Sequence, residues 1–471
     1  MIKKILWVFL EKGSLTIIQF VALMVLSRML GPEDYGIYGV MMILMAVSNM
    51  LVDSGLAGAL VQKREVSDID INTLFFTNFG ISLLLYIVLF CAAPFIELFY
   101  GIPNLSDYIR VLSVSILVFA LSQVQNALII RNLQFRKSAL INIVASILSL
   151  VVAIWLAKVG LGVWALIYQT LTNSIVVTVL MWVTSNTRIG IKTSVESFKN
   201  LWSFGSNILG ANILDSVVSN VSTSIIPKID SVGQSGLFFQ GSKLSNIPIN
   251  ILALSVDKFS FPILSKERER ALLLEKARSI NKNLILIIIP IFPLLSYCSY
   301  PIIQLVLGEK WLEVAPYFSV LVWSGIGLFI QVLYRNMIKA NGVTKHLLKV
   351  ETIKSFIYLL GIVVSAYFGV WAIIYCVVVI SVFGALLWAV CVKKVLSFCF
   401  FDQIVDIKKS LISLFVVVVT IFMLNIPEQS YLRFAIVLLA IAEYLFVNTL
   451  LRNAELKELT KRARAFITNH N

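Results

Sequence analysis

Charged side chains are scarce in this chain of 471 residues: Asp, Glu, Lys and Arg make up 14%, whereas hydrophobic residues make up 59%. Soluble domains carry about a quarter charged residues, so this composition excludes an ordinary water-soluble fold. The mean hydropathy of +0.91 is typical of a chain that crosses the membrane many times. The formal net charge of +14 does not indicate nucleic-acid binding, because most basic residues lie between the apolar runs, where they orient a membrane protein.

Histidine and cysteine are also rare, and their positions exclude several kinds of site. The two histidines, His346 and His470, lie in basic segments, which excludes a histidine-based catalytic site within the membrane. The five cysteines show no metal-binding or redox spacing, so we expect no metal site and no disulfide framework. The sequence contains no G-x-x-x-x-G-K-[ST] motif for binding nucleotide phosphates. We expect no cofactor, and a proton or sodium gradient is the candidate energy source.

Apolar runs long enough to cross a bilayer recur along the whole chain. A transmembrane helix needs about 20 apolar residues, and windows of this kind predict about fourteen spans. The connecting loops alternate between segments rich and poor in Lys and Arg, which places both termini in the cytoplasm. The predicted spans lie near 14–30, 36–60, 74–98, 109–130, 140–158, 161–183, 201–225, 236–262, 284–305, 316–338, 353–369, 370–392, 410–426 and 430–450.

Two stretches of the first half of the chain recur in the second half. PFIELFYG at 94–101 resembles PIIQLVLG at 301–308, and GVWALIY at 162–168 resembles GVWAIIY at 369–375. Both pairs are the same distance apart in the sequence. Residue type, order and predicted depth therefore agree, which indicates an internal repeat of membrane spans.

The repeat predicts the architecture of the chain. Gln123 and Gln331 lie between the matching stretches and correspond to each other. Because each copy contains an even number of spans, the copies lie parallel, related by an axis along the membrane normal. We therefore predict an all-α polytopic membrane protein with two parallel six-helix bundles and two extra helices. The predicted domains are a first bundle at 1–185, a second bundle at 186–394, two additional spans at 395–451 and a basic cytoplasmic tail at 452–471.

The seventh and eighth predicted spans are too polar to face lipid on every side. Asn212 and Asp215 lie one turn apart on the seventh span. Lys243, Asn246 and Asn250 fall on one face of the eighth span. A charge at the centre of the bilayer costs about 3 kcal/mol. We therefore expect these side chains to face a polar interior between the helices.

Other polar residues of the predicted spans have two interpretations each. Asp53 could bind a coupling cation or form a structural ion pair with Arg28. Arg28 and Arg335 could contact an anionic substrate or extend to the membrane interface. Lys243 could bind substrate or pair with Asp215. No catalytic residue is predicted. The predicted substrate-binding residues are Arg28, Lys243, Arg335, Gln240, Asn246, Asn250 and Asn212, and the predicted ion-coupling or charge-partner residues are Asp53 and Asp215.

The segment SRMLGPEDYGIYGVMMIL at 27–44 resembles the polysaccharide-transporter branch of the multidrug/oligosaccharidyl-lipid/polysaccharide flippase superfamily. DSGLAGALVQKRE at 53–65 continues the resemblance, which extends over essentially the whole chain and is closest to exporters of the O-antigen and colanic-acid type. The resemblance implies a V-shaped pair of six-helix bundles, as in multidrug exporters of this superfamily. It also implies flipping of undecaprenyl-diphosphate-linked oligosaccharide from the cytoplasmic to the outer leaflet by alternating access.

The resemblance further implies a place in the cell and a set of partners. It implies a bacterial plasma membrane protein that contacts membrane lipids, a lipid-linked oligosaccharide, and the polysaccharide polymerase and chain-length machinery. A cation-coupled multidrug exporter of the same superfamily is the alternative, and it predicts a cavity dominated by acids. A membrane glycosyltransferase would need catalytic carboxylates on a sizeable loop, whereas the predicted external loops are short. A scaffold would not explain the polar spans, so we expect a transporter rather than an enzyme.

Overall fold

The structure, a computed structural model, describes residues 2–451 and 456, apart from residues 54, 64, 186, 188, 268, 343–344, 399, 425 and 429. Every regular element in these ranges is a helix, which confirms the predicted all-α class. The side chains of some helical residues are not described, namely residues 2–6, 8–9, 200, 204–208, 210–215, 345–346, 348, 400–404, 406–407 and 422.

The chain divides into two units between Phe239 and Gln240. The first unit, Met1–Phe239, contains eight helices of its described residues and the first turns of a ninth. They are α1 (Ile2–Met29), α2 (Pro32–Asp53), α3 (Leu56–Gln62), α4 (Asp68–Tyr100), α5 (Leu105–Arg131), α6 (Phe135–Lys158), α7 (Val163–Val183), α8 (Val195–Ile229) and the start of α9 (Val232–Leu264).

The second unit, Gln240–Asn471, contains the remainder of α9 and shorter helices. Its helices in the described ranges are α10 (Arg270–Ile288), α11 (Ile291–Tyr297), α12 (Ser299–Val306), α13 (Val314–Leu321), α14 (Ser324–Ala340), α15 (Lys345–Ala366), α16 (Val370–Leu396), α17 (Phe400–Met423) and α18 (Leu432–Leu450).

The core of the first unit forms where α2, α5 and α7 pack together. Proline suits the first position of a helix, because the amide hydrogen it lacks would have no intrahelical partner there, and α2 begins at Pro32. The amide of Gly31 donates to the carboxylate of Asp34 at 2.8 Å, which fixes the turn that leads into α2. Met41 and Ile116 are fully buried in the core that follows. Packing of the apolar face of α2 therefore fixes the position of the helix start at Pro32.

Helix α8 packs against α2, α3 and α4 within the first unit. At its start, the hydroxyl of Ser197 donates to the carboxylate of Asp70, and Leu201 enters an apolar cluster with Leu74 and Val124. The repeat assigns α8 to the second bundle, whereas its contacts assign it to the first unit. A repeat in the sequence does not have to coincide with a unit defined by contacts. The predicted domain limits at 185, 394 and 451 therefore stay predictions.

The starts of α2 and α9 contact each other through two glycines. A Cβ atom on Gly36 would overlap the carbonyl oxygen of Val232, and a Cβ atom on Gly236 would overlap the carbonyl oxygen of Pro32. Pro32 and Val232 are the first residues of their helices, and each glycine stands four positions later. The contact is therefore reciprocal, and only glycine allows the two backbones to approach so closely.

The second unit has more helix breaks than the first. Its chain is interrupted after α10, where Pro290 and Pro293 follow, and again at Cys298 between α11 and α12. By contrast, α4 is 33 residues long and continues without a break past Pro94. Proline removes one backbone hydrogen bond and clashes with the preceding turn, so two prolines close together end a helix that one proline does not.

Trp388 is fully buried in the core formed by α14 and α16.

Eleven stretches of helix among the described residues are long and apolar enough to cross a membrane. The predicted spans near 201–225, 353–369 and 410–426 coincide with α8, α15 and α17, which are not among the eleven. The count of fourteen therefore stays a prediction. The predicted tail at 452–471 lies outside the described residues, apart from residue 456.

Candidate functional site

A cavity of about 420 Å³ opens in the first unit beside the end of α2. Asp53, the last residue of α2, lines this cavity together with Asn49 one turn earlier. Helix α5 supplies Gln123, Asn126 and the ring of Phe119 to the wall. The predicted charge-partner residue Asp53 is half-buried and therefore lies at the border of a polar space.

A second cavity, of about 230 Å³, adjoins the first and lies between α5, α6 and α7. Phe119, Gln123 and Asn126 line both cavities, so the two spaces share one wall. Asn142 on α6 and Asn173 on α7 line the second cavity. We call the two spaces together the amide cavity, because neutral amide side chains supply most of their polar lining.

The wall of the amide cavity is supported from α1. The side-chain amide of Asn142 donates to the carboxylate of Glu11 at 2.8 Å, and the hydroxyl of Ser138 donates to the same oxygen at 2.9 Å. Hydrogen bonds to a charged carboxylate are stronger than those between neutral groups. The Asn142 side chain is therefore held in one orientation, with its carbonyl oxygen left to face other groups.

Gln123 is buried, with 4% of its surface exposed, and its side chain makes no hydrogen bond within the described part of the chain. The carbonyl oxygen of Asn49 is buried without a partner as well. Leaving a buried polar group unpaired costs about 1–3 kcal/mol. Native proteins tolerate few such groups, so the buried side-chain oxygen of Asn49 requires an explanation.

Lys243, Asn246 and Asn250 lie on one face of α9, and the expectation that this face borders a polar interior stays a prediction. Lys243, Asn246 and Asn250 are all exposed and follow one another along the helix, and the amide of Asn246 donates to the hydroxyl of Ser242 at 3.3 Å. Gln240, one turn before Lys243, is fully buried, and both polar atoms of its amide lack a partner among the described residues. The helix therefore presents one cation and two amides in a row.

Arg335 on α14 takes part in an ion-pair network of the second unit. Its Nη1 lies 3.5 Å from Oε1 of Glu351 on α15, and Glu351 also pairs with Lys354. Lys354 donates in turn to the side-chain oxygen of Gln331 at 3.3 Å, and the amide of Gln331 donates to the backbone carbonyl of Ser381 on α16 at 2.7 Å. The predicted substrate-binding residue Arg335 thus contacts a carboxylate of its own unit.

The remaining predicted residues are placed as follows. Arg28 is exposed in the last turn of α1, in agreement with the predicted position at a helix end. Asn212 and Asp215 lie on α8, but their side chains are outside the described residues. The predicted meeting of Arg28, Asp53, Lys243 and Asp215 across one cavity therefore stays a prediction. Within the described residues, no group of three or more His, Cys, Asp or Glu side chains could hold a metal ion.

Sequence reasoning missed the residues that line most of the amide cavity. Gln123 served only as a marker of the repeat, and Asn126, Asn142 and Asn173 were not singled out. Each lies in an apolar span, where an isolated amide is a weak signal in any single helix. The usable signal was that three successive spans each carry an amide at a similar distance from their cytoplasmic ends.

Comparison with known proteins identifies the family. The profile described as "Polysaccharide biosynthesis protein" matches residues 25–316, which is more than half of the chain. The chain belongs to this polysaccharide biosynthesis protein family. This membership confirms the resemblance that begins at residues 27–44.

Individual relatives in the family are distant. The succinoglycan biosynthesis transport protein ExoT of Rhizobium meliloti is 24% identical over 267 residues, which cover 56% of this chain and 54% of ExoT. The lipopolysaccharide biosynthesis protein WzxC of Escherichia coli is 24% identical over 352 residues, covering 73% of this chain and 71% of WzxC. The matched region thus spans about half the length of ExoT and somewhat more of WzxC.

Solved structures identify the fold. The lipid II flippase MurJ in its inward closed conformation matches with a TM-score of 0.77 at 16% identity, covering 95% of this chain and 98% of MurJ. An inward-facing multidrug transporter of the MATE family matches with a TM-score of 0.61 at 15% identity, covering 81% of this chain and 94% of that protein. The chain is therefore a multi-span membrane protein with the fold that MurJ and MATE transporters share.

Proposed function

We propose that this protein is a flippase that moves undecaprenyl-diphosphate-linked oligosaccharide repeat units from the cytoplasmic to the outer leaflet of the bacterial plasma membrane. The repeat units would serve the synthesis of a surface polysaccharide. Alternating access, in which the substrate site opens to one side at a time, is the proposed mechanism. The proposal includes both termini in the cytoplasm and no enzymatic activity.

The observation that carries this proposal is the exposed polar row on α9. Lys243 supplies a cation, and Asn246 and Asn250 supply amides on the same face of a membrane-length helix. A diphosphate requires positive charge, and the sugar attached to it requires neutral donors and acceptors. The row offers both kinds of group on one helix.

The known relatives support the same substrate class. The names of ExoT and WzxC place them in succinoglycan and lipopolysaccharide biosynthesis, and MurJ is named a flippase for lipid II. A family of polysaccharide biosynthesis proteins with a flippase fold fits a lipid-linked sugar better than it fits a free drug. The prenyl chain of such a substrate would stay in the surrounding lipid, because only the head group is polar.

Deletion of the gene tests the proposal directly. Cells without the protein should accumulate lipid-linked repeat units on the cytoplasmic side and lose the surface polysaccharide. Reintroduced Lys243→Ala protein should restore less than a tenth of export, because the cation for the diphosphate is gone, whereas Lys243→Arg should restore much of it. Lipid-linked glycan is measured by extraction and mass spectrometry, and surface glycan by labelling of intact cells.

Lys158→Ala provides the matched control, because Lys158 is an exposed cation in the last turn of α6 and is not part of the row on α9. This variant should export at the level of the unmodified protein. Normal surface glycan in the deletion strain, or in the Lys243→Ala strain with the variant fully inserted, would exclude the proposed role.

Energy coupling and protein partners extend the proposal. Asp53, half-buried at the amide cavity, is the described carboxylate that we propose for binding a proton or a sodium ion. The polysaccharide polymerase and the chain-length machinery are the proposed partners, since they consume the flipped repeat unit. Glycan export into vesicles with an imposed proton or sodium gradient would reveal which ion, if either, drives transport.

Multidrug export is the second candidate, and the MATE-like fold is the observation that favours it. The family match and the scarcity of carboxylates along the amide cavity favour the glycan substrate instead. Raised drug tolerance in cells that overproduce the protein, together with unchanged lipid-linked glycan on deletion, would support drug export.

A further inference from the structure

The amide cavity has a lining that differs from the charged residues invoked above for the lipid diphosphate. Most of its polar groups are neutral, among them the amides of Gln123, Asn126, Asn142 and Asn173, Asp53 is its one carboxylate, and the ring of Phe119 lines both of its parts. Its larger part, about 420 Å³, falls within the range of roughly 300–1,000 Å³ that is usual for small-molecule sites. The space is therefore suited to a neutral polar ligand with an apolar face.

Gln123 is the most deeply buried of the amides named on this wall. The side chain is 4% exposed, lines both parts of the cavity and makes no hydrogen bond to any described residue. Asn126 and Asn173 line the cavity and also make no hydrogen bond to a described residue. Each amide carries two N–H donors and a carbonyl acceptor, so these side chains offer several donors and acceptors in one small space.

We propose that the amide cavity is a saccharide subsite, which binds one or more sugar residues of the transported glycan through Gln123, Asn126 and Asn173. This inference rests on the proposed function for the identity of the glycan. Sugar hydroxyls donate and accept at the same time, as side-chain amides do. The C–H face of a pyranose ring packs against an aromatic ring, and Phe119 supplies one.

Other classes of ligand fit this lining less well. A cation at Asp53 would occupy only a small part of the cavity, because a metal ion needs a compact shell of oxygen ligands and the space is far larger than one ion. An apolar drug would leave the amides unpaired, at the cost of burying them without hydrogen bonds. A diphosphate would find one carboxylate, Asp53, and no described cation among the lining residues of the two spaces.

The position of the cavity fits a glycan that enters from the cytoplasm. Asp53 ends α2, and Asn126 lies just over one turn before the end of α5 at Arg131. The loops that follow, 62–65 and 131–137, are the basic ones that the positive-inside rule places in the cytoplasm. The subsite therefore lies at the predicted cytoplasmic ends of its helices, where the repeat unit is synthesised.

The test measures binding by the purified full-length protein in lipid nanodiscs. The probe is the glycan that mild acid releases from the total lipid-linked oligosaccharide pool of the producing strain. Isothermal titration calorimetry measures its affinity for the protein. Gln123→Leu and Asn173→Leu should each weaken binding roughly tenfold, which corresponds to the loss of hydrogen bonds worth about 1.4 kcal/mol. Prenyl diphosphate without sugar should bind both variants as it binds the unmodified protein.

Gln125→Leu is the matched control on the same helix. Gln125 is buried like Gln123, and both polar atoms of its amide are buried without a partner, but it lines neither part of the amide cavity. This variant should bind the released glycan with unchanged affinity. Because none of the three substitutions removes a side-chain hydrogen bond to a described residue, all three variants should fold, and their melting temperatures without ligand should not fall.

The outcomes separate the subsite from the proposed function. Equal affinity of Gln123→Leu, Asn173→Leu and unmodified protein for the glycan would overturn the subsite, and so would an equal loss in Gln125→Leu. Sodium ions that bind in a Gln123-dependent way while the glycan does not bind would identify an ion site instead. Gln123-dependent glycan binding in a protein whose deletion leaves lipid-linked glycan unchanged would support the subsite and exclude the flippase function.

Discussion

Two glutamines at corresponding positions of the repeat have opposite surroundings. In the second unit, the amide of Gln331 donates to the carbonyl of Ser381 at 2.7 Å, and its oxygen accepts from Lys354 at 3.3 Å. In the first unit, Gln123 has no such partners among the described residues and lines a cavity. The same residue type thus joins neighbouring helices in one unit and borders a cavity in the other.

The two units differ in the polar groups that surround these corresponding glutamines. Charge is concentrated around Gln331, where Glu351 lies between Arg335 and Lys354 and links α14 to α15. The corresponding part of the first unit has neutral amides and free volume. Ion pairs and hydrogen bonds therefore join the helices around Gln331, whereas the helices around Gln123 border a cavity.

Helices α2 and α9 each have a glycine four positions after their first residue, and the largest effect is expected at these glycines. Gly36→Ala should lower the free energy of unfolding by about 3 kcal/mol, because the added methyl group overlaps the carbonyl of Val232 and the backbone has to move. Gly236→Ala should have a similar effect through Pro32. Thermal unfolding in detergent measures both changes.

Gly80→Ala is the control for these glycines, because a Cβ atom at Gly80 on α4 meets nothing within 4 Å. It should leave stability unchanged or raise it slightly, since alanine restricts the unfolded chain. If Gly36→Ala melted at the same temperature as Gly80→Ala, the reciprocal contact of the two helix starts would not contribute to stability.

The sequence predicted the regular parts of this molecule better than its cavities. Helices, most spans and the repeat follow from the length and spacing of apolar runs, and the row at Lys243, Asn246 and Asn250 follows from the helical period. The amide cavity did not follow, because Gln123 and Asn173 meet only when α5 packs beside α7. The partnership of Arg335 with Glu351 was missed for the same reason, since helix packing decides which charges meet.

Gln331→Leu tests the central contrast between the units and should have an intermediate effect. The substitution removes two hydrogen bonds and leaves the carbonyl of Ser381 and one donor of Lys354 without that partner. A loss of about 2 kcal/mol of unfolding free energy is expected. Gln123→Leu should cost close to nothing, because it removes no hydrogen bond to a described residue. Equal losses in the two variants would mean that the two glutamines are equivalent after all.

Pro94→Ala should have the smallest effect and tests why one unit keeps a continuous helix where the other breaks. Pro94 is exposed inside α4, and alanine there restores the backbone hydrogen bond that proline lacks, worth about 0.5–1 kcal/mol. Pro290→Ala alone should not join α10 to α11, because Pro293 still lacks its amide hydrogen and lies in the next turn. Hydrogen exchange of the amides around residues 94 and 290 measures both effects. We expect slower amide exchange around residue 94 after Pro94→Ala and unchanged exchange around residue 290 after Pro290→Ala. If exchange slowed equally in both variants, Pro290 alone would cause the break between α10 and α11.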